Sequence, residues 1–307
     1  MTSVPAEAIV TEDLTPHASM VGDVWRRFRR NRIALLGLAI VIVLIVAAIF
    51  APVLTHYDPN AIDTSIMGTP QVPSFVHLFG TDVDGRDYFA RMLFGARISL
   101  EVGFSAMLIA ITFGTFYGAI SGYFGGVIDA ILMRFVDMML SFPTFFLILA
   151  VEALTNNFSI IVIMLVIGLL SWMSVARLVR GQILSLRERD YISAAKAVGA
   201  PDGRIMWRHL LPNALAPVIV AATLAIGNNI LTESALSYLG LGVQPPTASW
   251  GNSLQKALDP DVLGAPWLTF IPGLLIVLTV MAFNLVGEGL HDAFDPRSTG
   301  RPRIGNQ

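Results

Sequence analysis

Residues 33–54 read IALLGLAIVIVLIVAAIFAPVL, twenty-two consecutive positions without a charge. As a helix rising about 1.5 Å per residue the run covers about 33 Å, enough to cross a hydrocarbon layer about 30 Å thick. It is too long for a secretory signal, whose apolar region is about 7–15 residues, and no small-x-small cleavage site follows it. Arg26, Arg27, Arg29, Arg30 and Arg32 precede it and predict a cytoplasmic start. This stretch predicts a transmembrane helix.

The remainder of the chain agrees. Hydrophobic residues make up 54% of the 307 positions and charged residues 14%, where soluble domains carry about 25% charge. Mean hydropathy is +0.67. So little polar surface cannot cover a water-soluble fold of this size. Disorder is excluded by the same apolar content together with a net charge of only −2. The absence of cysteine removes disulfides, thiolate metal sites and cysteine nucleophiles.

Five further apolar segments, near 98–120, 127–152, 159–180, 213–236 and 268–290, bring the expected total to six transmembrane helices. With the N-terminus inside, the cytoplasmic pieces hold five (26–32), seven (177–208) and three (297–303) Lys and Arg, fifteen together. The external pieces hold four, Arg86, Arg91, Arg97 and Lys256. That asymmetry predicts a multi-pass protein with both termini in the cytoplasm. The external stretches 55–97 and 240–267 lack strand alternation and read as loops with short helices. Residues 1–22 and the tail after Arg297 read as mobile polar ends. No internal repeat is visible, which disfavours an inverted-repeat transporter.

The segment 181–212, GQILSLRERDYISAAKAVGAPDGRIMWRHLLP, carries the functional reading. Tyr191, Ala194, Ala195 and Val198 fall at i, i+3, i+4 and i+7 and predict one helix face. Gly199 then suits a C′ position and Pro201 stops the helix. Ile205, Met206 and Leu210 predict a second short amphipathic helix, ended by Pro212. Small residues at 194, 195 and 199 permit close approach, and Arg187, Arg189, Lys196, Arg204 and Arg208 surround them. Two readings stand from these residues alone: an interfacial loop held by lipid headgroups, or a knob that docks into a cleft on a cytoplasmic partner.

DYISAAKAVGAPDGRIMWRHLLPN resembles the EAA loop of bacterial ABC-importer permeases, Glu-Ala-Ala, three residues, Gly, and a downstream Leu-Pro. Here Ser193 replaces the glutamate before Ala194 and Ala195, Gly199 keeps its offset, and Leu211-Pro212 follow. FGTDVDGRDYFARMLFGARISLEVG (79–103), ESALSYLGLGVQPPTASWGN (233–252), FNLVGEGLHDAFDPR (283–297) and the N-terminal RRFRRNRIALLG are similar to the C-type subunit of dipeptide/oligopeptide importers. The resemblance implies an all-α integral membrane protein of the bacterial cytoplasmic (inner) membrane. It divides into a cytoplasmic segment (1–32), a first transmembrane helix (33–54), an external loop region (55–97), a five-helix MetI-like permease core (98–290) and a cytoplasmic tail (291–307).

The same resemblance implies the permease subunit of an ATP-driven importer of peptides. Its implied partners are a homologous B-type permease, two cytoplasmic ATPase subunits, an external solute-binding protein and the lipid bilayer, with no nucleic acid. The implied coupling helix lies near Ile192–Gly203, so Tyr191, Ile192, Ser193, Ala194, Ala195, Val198, Gly199, Ala200, Asp202 and Gly203 form the expected ATPase-coupling loop. An ATPase needs a Gly-rich loop ending in Lys-Ser/Thr. The two lysines, Lys196 and Lys256, are each followed by Ala, so the chain is expected not to be an enzyme and to carry no cofactor, with ATP and Mg bound by partner subunits. The alternative function is an ion- or proton-driven secondary transporter. An intramembrane enzyme lacks a nucleophile–base set in the spans, and a channel lacks a filter segment.

Polar groups within the spans are expensive and point to function or to helix contacts. Arg134 and Asp137, at i and i+3, are expected to pair locally, and Glu101 and Glu152 to be hydrated at external ends. Pro143 should kink its span. Asn228 and Asn229 in mid-membrane predict that at least one lines the translocation path or binds a neighbouring helix. Glu288 and His291 have an E-x-x-H spacing but no companion ligands in the spans, so no metal is expected. Asp82-Val83-Asp84-Gly85 misplaces the glycine for a calcium loop and predicts a turn before Arg86 and Asp87.

Overall fold

The computed structural model describes residues 20–155, 159–256 and 264–295. Of the expected mobile ends 1–22 and after Arg297, residues 1–19 and the tail, with the three basic residues of 297–303, lie outside the described residues, while residues 20–22 open a helix instead. Among the described residues the elements are helices: α1 (Met20–Phe28), α2 (Arg32–Ile49), α3 (Ala51–Leu54), α4 (Tyr88–Phe124), α5 (Gly126–Leu140), α6 (Thr144–Thr155), α7 (Ile160–Arg187), α8 (Asp190–Ala197), α9 (Asp202–Ile205), α10 (Leu211–Tyr238), α11 (Trp250–Lys256) and α12 (Trp267–Phe294). The helices α2, α4, α7, the continuous run 202–238 and α12 are long and apolar enough to cross a membrane.

The sixth expected span is broken. α5 and α6 meet at 78° across Ser141–Pro143, where a single kinked helix over 127–152 was expected. Pro143 has no N–H to give and its ring crowds the carbonyl four residues back. The Ser141 N–H ends α5 by donating to Asp137 O at 3.1 Å, so two helices form instead of one bent one.

Packing is closest between α4 and α7. Ala106, Ala110, Gly114, Gly118 and Gly122 recur every four residues on α4 and are all buried. A Cβ at Gly118 would stand 2.3 Å from Ala176 O, and one at Gly114 2.7 Å from Trp172 O. Without a hydrophobic force between helices in lipid, such small-residue stripes let backbones approach and gain dispersion contacts.

Two caps set the entries of the first long spans. Asn31 Oδ1 accepts from the N–H groups of Ile33 (3.1 Å) and Ala34 (3.2 Å) to start α2. Asp87 Oδ1 accepts from Ala90 N–H at 2.7 Å to start α4, ten residues earlier than the apolar run suggested. The Tyr88 hydroxyl donates to Leu268 O at 2.6 Å, which puts the starts of α4 and α12 together. Phe28, Ala34 and Ala293 form one buried cluster, which puts the start of α2 beside the end of α12. Both described ends of the chain therefore lie on the side where α7 gives way to α8.

Pro212 does not break the chain. Met206–Leu210 form a π turn that runs into α10, with Leu211 N–H donating to Met206 O. The wider turn makes room for the proline ring at the second residue of α10, so the second short helix and the fifth span are one continuous element.

Candidate functional site

The loop between α7 and α10 is built from its turns. α8 ends in a Schellman motif: Ala200 N–H donates to Ala195 O at 3.1 Å, Gly199 N–H to Lys196 O at 2.9 Å, and Gly199 takes φ +77°. Pro201 then begins α9, with Arg204 N–H and Ile205 N–H donating back to its carbonyl at 2.9 and 3.1 Å. The sequence thus turns α8 into α9 within four residues.

The two faces of this hairpin differ. Ile192, Ile205 and Leu210 are fully buried in a cluster with Tyr123 of α4, Val179 and Ile183 of α7 and Ala214 and Val218 of α10. Tyr191, Ser193, Ala194, Val198, Gly199, Asp202 and Gly203 are exposed, Val198 at 85%. The expected stripe is therefore divided. Ala195 and Ala200 are half-buried and pack on the inner cluster, while Tyr191, Ala194 and Val198 point outward.

Polar contacts tie the hairpin to the spans. The Tyr123 hydroxyl donates to Asp202 Oδ1 at 2.5 Å, and Arg187 Nη1 donates to Tyr123 O at 3.1 Å. Deeper along α7, Arg180 donates to both Asp129 oxygens (2.5 and 2.6 Å), and the Ser121 hydroxyl donates to Asp129 at 2.5 Å. The expected Arg134–Asp137 pair is replaced by one between helices. Asp137 accepts from Arg177 at 2.5 Å, because α7 lies across from that face of α5, and Arg134 is exposed.

Above these contacts, α5, α6, α7 and α10 enclose an open cavity of about 550 Å³, with Thr144, Ser171, Ser174, Asn228 and Thr232 among its lining residues. Both asparagines border this cavity but differ in exposure. Asn229 is buried and donates from Nδ2 to Gly103 O of α4 at 3.4 Å, a helix–helix contact. Asn228 is exposed on the cavity wall.

Several polar residues that now stand out escaped the sequence reading. Glu233 of α10 is fully buried, accepting from the hydroxyls of Ser237 (2.8 Å) and of Ser99 on α4 (3.0 Å). Ser237 in turn accepts from Val243 N–H at 3.0 Å, linking the carboxylate to the segment after α10. Three serines within the ESALS and TASW stretches, Ser234, Ser237 and Ser249, were the available signal. Glu152, expected to be hydrated, is fully buried, whereas Glu101 is exposed.

At the end opposite α8, the predicted turn forms. Asp82 Oδ1 accepts from the N–H groups of Asp84 (3.0 Å) and Arg86 (2.9 Å), and Gly85 adopts φ +77°. Arg91 is 1% exposed and lies 3.6 Å from Asp82, with Nη1 donating to Pro59 O at 3.0 Å. Asp84 pairs with Arg86 and with Lys256 of α11. Burial pushes the Asp84 carboxyl up, but the Lys256 ammonium hydrogen-bonded to it, with the guanidinium groups of Arg86 and Arg91, holds it below the ordinary carboxylate range.

Apolar helical spans around a cavity of mixed apolar and polar lining, with an exposed helical hairpin at one end, fit a membrane transport component. The chain belongs to the family described as binding-protein-dependent transport system inner membrane component, whose model matches residues 114–300. The N-terminal TM domain of oligopeptide transport permease C matches residues 19–72.

Similar proteins span nearly the whole chain. The dipeptide transport system permease protein DppC of Alkalihalophilus pseudofirmus is 42% identical over 286 residues, covering 93% of each chain. The oligopeptide transport system permease protein OppC of Bacillus subtilis is 40% identical over 281 residues, 91% of this chain and 90% of its own. OppC of Haemophilus influenzae is 42% identical over 281 residues, 91% and 89%. The present chain is accordingly a multi-pass membrane protein of this permease family.

Proposed function

We propose that the chain is one permease subunit of an ATP-driven importer of peptides, of the dipeptide/oligopeptide class, in the bacterial cytoplasmic membrane with both termini cytoplasmic. A homologous permease supplies the other half of the pathway. An external binding protein delivers the peptide, and two cytoplasmic ATPase subunits bind ATP and Mg. The names of the similar proteins support the substrate class.

The observation that carries the coupling role is the two-faced hairpin. Tyr191, Ala194 and Val198 are presented outward while Ile192 and Ile205 fasten the same hairpin to α4, α7 and α10. A partner that grips the outer face moves the inner one with it. Closure of the ATPase pair displaces α8, and the buried cluster passes that displacement to the helices that wall the cavity. The Tyr123–Asp202 bond and the Arg187 contacts with the end of α4 act in parallel. The cavity then opens to one side or the other, with Asn228 on its surface.

Reconstituted transporter with its ATPase and binding-protein subunits tests this. Val198→Asp leaves the buried cluster intact, so the subunits should still copurify with wild-type thermal stability while peptide-stimulated ATP hydrolysis and uptake fall sharply. Unchanged stimulation and uptake would refute the coupling role. Uptake by the purified chain without ATP would favour an ion- or proton-driven transporter instead. Asn228→Cys should react with a water-soluble thiol reagent in at least one nucleotide state, and no reaction in any state would remove it from the path.

A further inference from the structure

We propose that Glu233 is a positioning residue of the transport cycle. Its carboxylate makes the outer segment 239–253, which follows α10 at the end opposite α8, move as one body with α10 and α4. The inference rests on the coupling role proposed above and extends it, because α10 is the helix that continues from the hairpin.

Glu233 is fully buried, and no cation pairs with it among the described residues. Serine hydroxyls surround it instead: Ser99 of α4 donates at 3.0 Å, Ser237 at 2.8 Å and Ser234 at 3.4 Å, and Ser249 is a further donor. The segment itself fixes the direction of two of these bonds. Val243 N–H donates to Ser237 Oγ at 3.0 Å, and Asn252 N–H donates to Ser249 Oγ at 3.2 Å. Each backbone donor occupies a lone pair of the hydroxyl, whose own proton goes to the carboxylate. Glu233 is thus tied through one serine to residue 243 and through another to residue 252.

The rest of the segment closes on these two points. Asn252 Nδ2 donates to Val243 O at 3.2 Å and to Thr247 O at 2.6 Å. Trp250 Nε1 donates to Met92 O of α4 at 3.1 Å, and a Cβ at Gly251 would stand 2.6 Å from Ser234 O of α10. Hydrogen bonds to one carboxylate demand a single geometry, whereas an apolar contact slides at little cost. A buried carboxylate is expensive, and apolar packing alone would hold the segment in place. What the carboxylate adds is a fixed register between the segment, α4 and α10. Residues 202–238 form one span, with Ile205 and Leu210 in the inner cluster at one end and Glu233 near the other. A displacement of the outer segment therefore reaches the hairpin without slack, and the reverse.

The test uses the full transporter, with its ATPase subunits and peptide-loaded binding protein, in phospholipid nanodiscs. Glu233→Leu should leave basal ATP hydrolysis unchanged and lower its stimulation by the loaded binding protein about tenfold, within the usual range of coupling between sites. Glu233→Gln keeps the shape and one acceptor oxygen, and should keep most of the stimulation. The chain contains no cysteine, so nitroxides at Arg97→Cys on α4 and Thr247→Cys in the segment read their separation by dipolar EPR. That separation should be the same and narrow in the nucleotide-free and ATP-trapped states, and should broaden in Glu233→Leu. Unchanged stimulation in Glu233→Leu would overturn the proposal. Equal loss of basal and stimulated hydrolysis without broadening would make Glu233 a stability residue only, which overturns it equally. If Val198→Asp leaves stimulation intact while Glu233→Leu lowers it, the hairpin reading fails and the outer link stands; the opposite result keeps the hairpin and removes the link. Should Glu233→Leu fail to assemble, Ser249→Ala cuts one of the two ties and should lower stimulation in the same direction, and full stimulation there would overturn the proposal.

Discussion

The hairpin 190–210 and the turn region 55–87 both connect membrane spans, yet they are held by opposite means. The first is fastened by hydrocarbon, with Ile192, Ile205 and Leu210 buried among helices α4, α7 and α10. The second is fastened by charge, with Asp82 facing Arg91, and Asp84 facing Arg86 and Lys256. Apolar fastening is tolerant of small displacements, because dispersion contacts are many and weak. Buried charge pairs demand one geometry, because separating them leaves an uncompensated charge. A moving part suits the first construction and a fixed rim the second.

Arg91→Met breaks the fixed rim most severely. It leaves Asp82 buried without its guanidinium, a change that typically costs about 3–5 kcal/mol, and thermal unfolding of the purified protein should show the largest loss of any single change here. Next, Ile192→Ala opens the hydrocarbon fastening at a cost of about 2–5 kcal/mol for a buried isoleucine. Hydrogen exchange should rise in α8 and α9 while the spans keep their protection.

Gly199 sharpens the comparison at smaller scale. No atom lies within 4 Å of a Cβ built there, so backbone conformation alone decides the outcome. Gly199→Val should cost about 1–2 kcal/mol for a left-handed residue, and Gly199→Asn distinctly less, since asparagine tolerates that region. Amide exchange at Gly199 and Ala200 would register the difference as loss of the Schellman bonds.

The smallest effect belongs to Asp84. Its carboxyl titrates below the usual range, so the stabilisation is complete above about pH 4 and is lost as acid protonates the folded group. Lys256→Gln removes the main partner of a half-buried pair and should cost less than about 1 kcal/mol at neutral pH. It should also flatten the acid limb of a stability–pH profile; an unchanged limb would show that the pair contributes nothing.

The hairpin was legible in the sequence because its signals are local. Gly199 and Pro201 stand next to the helix they end, and Tyr191, Ala194 and Val198 repeat with the helix period. What the periodicity did not reveal is which side faces inward. Ile192, rather than the Ala-Ala pair, is the residue that sinks into the bundle. The rim was legible only as a turn at Asp82–Gly85, since Pro59 and Lys256, which tie Arg91 and Asp84 to other parts of the chain, lie far from it in sequence.

Hydropathy and basic-residue placement alone determined that this chain lives in a membrane, where its spans run and which loop is the conspicuous one. Those properties are sums over neighbouring residues, and the bilayer imposes them on any sequence. Tertiary structure decided the rest. It split the third expected span at 78° and carried the chain into Pro212 without a break, through a π turn over Met206–Leu210. It sent Asp129 to Arg180 and Asp137 to Arg177, and of two asparagines bordering one cavity it buried Asn229 against α4 and left Asn228 exposed. Each of these depends on which helix stands opposite, and the stripe of small residues on α4 that brings α7 so close acts only once the two helices meet.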